Sequence, residues 1–344
     1  LNFTMMPGQN LNTLDDVYRL KLIDHEEMLS KMCESAGKEY AIEEALDKMM
    51  KEWSQMEFEI VDYRTTGSYV LKGSDDVQQI LDDNIVMTQA MSFSPFNKPH
   101  KERLEKWGTT LNLMTEIIEQ WLNCQRNWMY LEPIFSSDDI MKQLPAEGQK
   151  FRACDRQWRK YLQLAHENPK CLEFSQTPDL LAVFTQTYNT LEQVQKGLSD
   201  YLETKRQAFA RFYFLSNEEL LEILSQTKDP RAVQPHLRKC FEAINRVDFE
   251  NDLAMTCMYS GEDEQVIWDG KVYPEGNVEF WLTDVENMMR MSINTQIGIS
   301  VNDYTEVDRK VWVLKWPGQI VLACDQIYWT RESEEAIVRN DLEG

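Results

Sequence analysis

A length of 344 residues, 42% of them hydrophobic and among them ten Trp, fourteen Phe and thirteen Tyr, supplies core material for two or three domains or one extended array and excludes a disordered chain. The 58 acidic against 36 basic residues give a net charge of −22, which repels phosphate backbones and excludes nucleic acid as a partner. Seven scattered cysteines without ligand spacing, no apolar run of about 18 residues and no signal peptide exclude a zinc module, a disulfide framework and a membrane span, and point to a reducing compartment.

The hydrophobic spacing is mainly helical. Asn12 or Thr13 is a candidate N-cap, with Asp15 and Asp16 in the first turn, for a helix running towards Cys33. Gly37 reads as a break, after which Ala41–Met56 resumes the pattern. From Glu57 to Arg64 the period changes to two, Thr65-Thr66-Gly67-Ser68 turns the chain and Tyr69–Leu71 returns, so a β-hairpin is expected near 57–72. The longest regular register spans Lys101 to Leu131, where Leu104, Trp107, Leu111, Met114, Ile118, Trp121 and Trp128 recur at intervals of three and four. Trp107, Trp121 and Trp128 are its core anchors, and Gln125 is the one polar intruder.

Ser136-Ser137-Asp138-Asp139 starts a short helix, and Pro145, Gly148, Pro169 and Pro178 punctuate the stretch that follows. A second long register, from Leu180 to Phe214, is interrupted by Gln195 and Lys205, with Gly197 as a candidate bend. Ser216 and Glu219 form a capping box for a helix carrying Leu220, Leu221, Ile223 and Leu224 and ended by Asp229-Pro230. Arg231, His236, Arg238 and Lys239 then make a basic face in an acidic chain, readable as a solvated helix surface or as a docking face. A minor β element is expected near 265–273, with Val266, Ile267, Trp268 and Val272 around Asp269-Gly270. Helical spacing returns from Val278 to Met291, and Pro317 is expected in the first turn of a last helix.

Site chemistry is missing. No G-x-x-x-x-G-K-[ST] occurs, and Gly37-Lys38-Glu39 and Gly270-Lys271-Val272 lack both the upstream glycine and the following hydroxyl that cradle phosphate and Mg²⁺. G-x-G-x-x-G, G-x-S-x-G and H-E-x-x-H are absent as well. The acid pairs Asp75-Asp76, Asp82-Asp83 and Asp138-Asp139 suit helix starts better than catalysis. His25, His100, His166 and His236 lie on separate segments. The expectation is a chain without catalytic, cofactor or metal residues.

The strings themselves carry more than their periods. Arg211 to Ile244, RFYFLSNEELLEILSQTKDPRAVQPHLRKCFEAI, resembles the signature that precedes the AAA+ ring of dynein heavy chains. LDDNIVMTQAMSFSPFNKP from Leu81, WLNCQRNWMYLEPIFSSDDIMKQLP from Trp121 and WVLKWPGQIVLACDQIYWT from Trp312 are similar to further blocks of that family, in family order. The LEPIFSSDDIMKQLP wording looks more like ciliary, inner-arm dyneins than like cytoplasmic dynein. The resemblance implies the linker, a mechanical arm, which the helical spacing makes an elongated array of helical bundles: an N-terminal half over 1–134, a candidate hinge over 135–178, where Pro145, Gly148, Pro169 and Pro178 interrupt the pattern ahead of the candidate bend at Gly197, and a C-terminal half over 179–344. It implies a segment excised from a longer ATPase. Its partners would be the AAA+ ring of the same heavy chain and other dynein subunits, without direct microtubule contact, in the cytoskeleton of the cytoplasm and of the ciliary or flagellar axoneme. A passive helical scaffold or adaptor rod is the alternative.

Overall fold

Long windows of 3.6-residue periodicity produce helices wherever the apolar stripe finds a partner surface. The computed structural model describes residue 18, residues 22–225 and residues 229–340. In chain order the helices are α1 (Glu26–Gln55), α2 (Ser74–Ser92), α3 (Lys101–Phe135), α4 (Asp138–Gln143), α5 (Pro145–Glu167), α6 (Cys171–Ser175), α7 (Leu180–Ala208), α8 (Asn217–Ser225), α9 (Gln234–Phe241), α10 (Val278–Glu306), α11 (Arg309–Lys315) and α12 (Gly318–Arg339). The strands are β1 (Glu59–Tyr63), β2 (Ser68–Lys72), β3 (Arg246–Phe249), β4 (Met255–Tyr259) and β5 (Gln265–Val272). They form an antiparallel hairpin, β1-β2, and an antiparallel sheet of order β3-β4-β5. The protein is therefore mainly α with two small sheets.

Several boundaries differ from the sequence reading, each for a physical reason. The candidate N-cap at Asn12 or Thr13 lies outside the described residues. Gly37 does not break α1, because a glycine in an exposed helix costs only about 1 kcal/mol and the Glu34–Lys38 pair spans the turn that contains it. The second long helix stops at Ala208 rather than Phe214. Phe209 turns extended and a 3₁₀ segment, Ala210–Phe214, follows, bringing the Phe209 and Phe212 rings edge to face at 5.0 Å. The β element expected near 265–273 is β5, and Asp269-Gly270 lies inside it. A Cβ at Gly270 would stand 3.2 Å from Met288 Cε, so the glycine admits close packing of α10 on the strand. Pro317 is the N-cap of α12 at ψ 145°, one residue ahead of the expected place.

Backbone contacts divide the chain into two compact units: Leu1–Met129 with Arg152–Glu192, and Tyr130–Phe151 with Gln193–Gly344. In unit 1 the core is aromatic. Trp121 is fully buried between Phe58, Phe174 and Phe184, and Trp128 lies between Tyr63 and Trp158. A two-stranded hairpin is marginal alone, and the polar intruder Gln125 explains how it is held. Its side-chain amide donates to the Leu71 carbonyl and accepts from the Leu71 N–H, both at 2.8 Å, closing the edge of β2. Arg159, paired with Asp155, also donates to Thr66 O at 2.7 Å in the hairpin turn.

Unit 2 treats its sheet in the same way. Gln234 pairs with both backbone groups of Val247 on β3, while Ser292 and Gln296 of α10 take up backbone groups of Asp269 and Ile267 on β5. A separate small core gathers Trp312, Ile320 and Cys324, with the Trp312 indole donating to Ser300 O at 3.1 Å.

Of the seven cysteines only Cys33 is exposed. Burial pushes the thiols of Cys124, Cys171 and Cys240 up to about 12, and such thiols are poor nucleophiles. At about pH 8 the native chain should therefore show one fast thiol towards a disulfide reagent, and all seven after denaturation. Two or more fast thiols would mean that the buried set opens in the native state.

Candidate functional site

The candidate hinge residues occupy ordered positions. Pro145 opens α5, where its missing N–H would have lacked a helical partner in any case. The Gly148 N–H donates to Leu144 O at 2.9 Å, and a Cβ there would lie 2.7 Å from the Met141 side chain. Pro169 accepts from Phe58 N at 2.8 Å, beside the isolated Glu57–Lys170 bridge, and Pro178 is exposed just before α7. Helix α7 runs unbroken through Gly197, where a Cβ would meet Glu147 Cγ at 2.7 Å, so this glycine lets α5 and α7 approach closely.

One residue escaped the sequence reading. Pro133 lies inside α3, and its ring nitrogen cannot serve the Met129 carbonyl one turn back. The Tyr63 hydroxyl reaches that orphaned carbonyl instead, at 3.5 Å. The proline stood in plain view in the LEP of the Trp121 string.

The basic stretch divides by exposure. Arg231 and Arg238 are exposed, the first with its guanidinium 6.0 Å over the Phe249 ring. Lys239 pairs with Glu219, and His236 is buried with Nε2 3.4 Å from Glu222. The capping box is present: Ser216 N–H donates to Glu219 at 3.0 Å and Glu219 N–H to Ser216 Oγ at 3.2 Å. The Lys239 ammonium, together with that Ser216 N–H, holds the Glu219 carboxyl below its usual range. The surface charge here is therefore carried by Arg231, Arg238 and a Lys239 already engaged.

Within unit 2 a cavity of about 340 Å³ opens where the end of α9, strands β4 and β5, α10 and the start of α12 meet. Met258, Met289 and Ile293 are among its apolar lining residues, and Glu242 and Glu264 are its acidic ones. Among the described residues there is no group of three or more His, Cys, Asp or Glu side chains placed to hold a metal ion, and no helix is long and apolar enough to cross a membrane.

The model of the family described as dynein heavy chain, N-terminal region 2, matches residues 2–300. The chain belongs to that dynein family. It is 52% identical to mouse axonemal dynein heavy chain 1 over 342 residues, which is 99% of this chain and 8% of that protein. Human axonemal dynein heavy chain 3 is 44% identical over 319 residues, 92% of this chain and 8% of the relative. Human axonemal dynein heavy chain 12 is 42% identical over 328 residues, 94% and 11% respectively. The chain thus spans about a tenth or less of the dynein heavy chains it matches.

In this dynein segment the family strings have identifiable physical work. Arg211 of RFYFLS donates to Cys240 O at 3.1 Å and pairs with Glu286, tying the 3₁₀ segment to α9 and α10. In KWPGQ, the Gly318 N–H at the start of α12 donates to Glu264 at 2.7 Å, a cap brought from the β4–β5 turn.

Proposed function

We propose that this chain is the mechanical linker of an axonemal, inner-arm dynein motor, an arm without catalysis of its own that bends and straightens as the AAA+ ring of the same heavy chain turns over ATP. One observation carries the reading. The division into compact units falls at 129/130 in α3, 151/152 in α5 and 192/193 in α7. Each helix has a weakened point within about one turn of that place: Pro133 in α3, Gly148 in α5 and Gly197 in α7. Proline removes a helical hydrogen bond and glycine lowers helix propensity, so dihedral change is cheapest there. Bending is then concentrated at these three points, with Pro145 beside the second. Pro169 and Pro178 lie inside unit 1 and contribute less.

The exposed Arg231, Arg238 and Lys239 are the face offered to the ring, and further dynein subunits complete the complex in the ciliary or flagellar axoneme. The axonemal names of the relatives support that location. The net charge of −22 argues against direct contact with the acidic microtubule surface.

The test is energy transfer in the full heavy chain, between dyes placed through unnatural amino acids at Lys51 in unit 1 and Glu262 in unit 2, both exposed. A lever arm changes the transfer efficiency between the nucleotide-free and the ATP-vanadate states. Constant efficiency in a motor that still hydrolyses ATP is the result of a passive rod and would overturn the reading.

A further inference from the structure

The cavity in unit 2 is unusual for the company its carboxylates keep. Its mouth carries Glu242 and Glu264, and neither lies within ion-pair distance of a described lysine or arginine. Glu264 gives one oxygen to the Gly318 N–H, which meets the positive end of α12 and leaves the second oxygen free of that bond. Arg246, whose guanidinium lies 3.4 Å from the Tyr259 ring centre on the sheet, is taken by Asp248 at 2.9 Å and Asp263 at 3.6 Å. Among the described residues, no basic side chain lines the cavity.

The backbone holds Glu242 in place by an uncommon device. Its φ of 54° and ψ of −57°, with the Ala243 N–H donating to Phe241 O at 2.5 Å, make a three-residue turn of the strained γ type. Glycine would adopt this conformation more readily, yet a glutamate occupies it and stands exposed at the rim. Behind the rim the walls are Met258, Met289, Ile293 and Ile320.

We propose that this cavity receives one basic side chain, a lysine or arginine, from a protein surface. The volume of about 340 Å³ is at the small end of ligand pockets, suited to a single long side chain. Such a side chain buries its aliphatic stem against the methionine and isoleucine walls while its charged head stays at the mouth between the two carboxylates. A net charge of −22 brings basic surfaces towards the chain. The match covers 8% of the mouse relative, so protein surface outside this segment is available to supply that side chain. The inference is independent of whether the arm bends.

The 344-residue chain labelled with ¹³C-methyl methionine gives direct reporters, since Met258 and Met289 line the cavity. The probes are N-acetyl-lysine methylamide and its norleucine counterpart, which shares most of the stem and lacks the charge. The lysine probe shifts both methyl signals saturably, and the norleucine probe binds about tenfold more weakly. Replacing both acids, Glu242→Gln with Glu264→Gln, brings the lysine probe down to the norleucine level, while the amide oxygen introduced by the second substitution still accepts the Gly318 N–H. Equal binding of the two probes would make the cavity merely apolar and overturn the proposal. So would undiminished binding to the double variant, or an absence of shifts at Met258 and Met289. The probe comparison uses the native chain, so it decides the matter even if the variant folds poorly.

Discussion

Trp121→Ala should lower the stability of the chain by about 3 to 5 kcal/mol, the loss expected when a fully buried aromatic side chain is truncated. Trp121 has no solvent exposure, and its ring centre lies 5.2 Å from Phe58, 5.1 Å from Phe174 and 5.7 Å from Phe184. Those three rings come from the segment before β1, from α6 and from α7, so the indole is where separate elements meet. Removing it leaves a cavity that the surrounding helices close only in part. The indole N–H has no protein partner, so Trp121→Phe gives up packing volume and no hydrogen bond. Trp128 differs, because its N–H donates to Asp155 at 2.9 Å and Trp128→Phe strips one bond from a carboxylate that Arg159 also uses. Urea denaturation should therefore rank Trp121→Phe milder than Trp128→Phe, with Trp121→Ala well below both. An unchanged midpoint for Trp121→Ala would place this stripe in solvent and make it a partner surface instead of a core.

The long helices were legible because their period repeats over many turns, so single exceptions do not hide it. Trp107, Trp121 and Trp128 are all buried as their register requires. The hairpin was legible from its change to period two. Strands β3 and β4 were not, since RVDF and MTCMY are too short and too mixed in polarity to alternate convincingly, and the turn between them carries no glycine or proline to announce a hairpin. Gln125 and Lys205 were visible as exceptions, but Leu71 and Glu279, which explain them, lie 54 and 74 residues away. Gly37 suggests a break that α1 does not have, because local propensity says nothing about the turns on either side. His236 stands among charged neighbours in the sequence, yet Val233, Leu237 and Cys240 mark its side of the helix as the buried one.

Lys205→Ala should cost about 3 to 5 kcal/mol, far more than a surface ion pair is worth, because it strands a buried carboxylate. Lys205 Nζ lies 2.5 Å from Glu279 Oε1, and the two side chains are 14% and 4% exposed. The other oxygen of Glu279 already has no protein partner, so the lysine supplies the neutralising contact that unit 2 provides. Tyr201 completes the arrangement: its ring lies under the ammonium at 5.4 Å, its hydroxyl donates to Gln143, and burial, followed by the Glu279 charge, pushes its phenol up to about 12. The net value of the pair is a separate question from the cost of breaking it. Two charges removed from water lose much of what their attraction returns, so Lys205→Met combined with Glu279→Leu should recover most of the loss. A double-mutant cycle in urea measures both quantities. If Lys205→Ala costs less than about 1 kcal/mol, water reaches the pair and the lysine that interrupts the α7 register is an ordinary surface residue. If the double replacement stays as unstable as the single one, the pair contributes a directional contact between α7 and α10 that apolar packing does not replace.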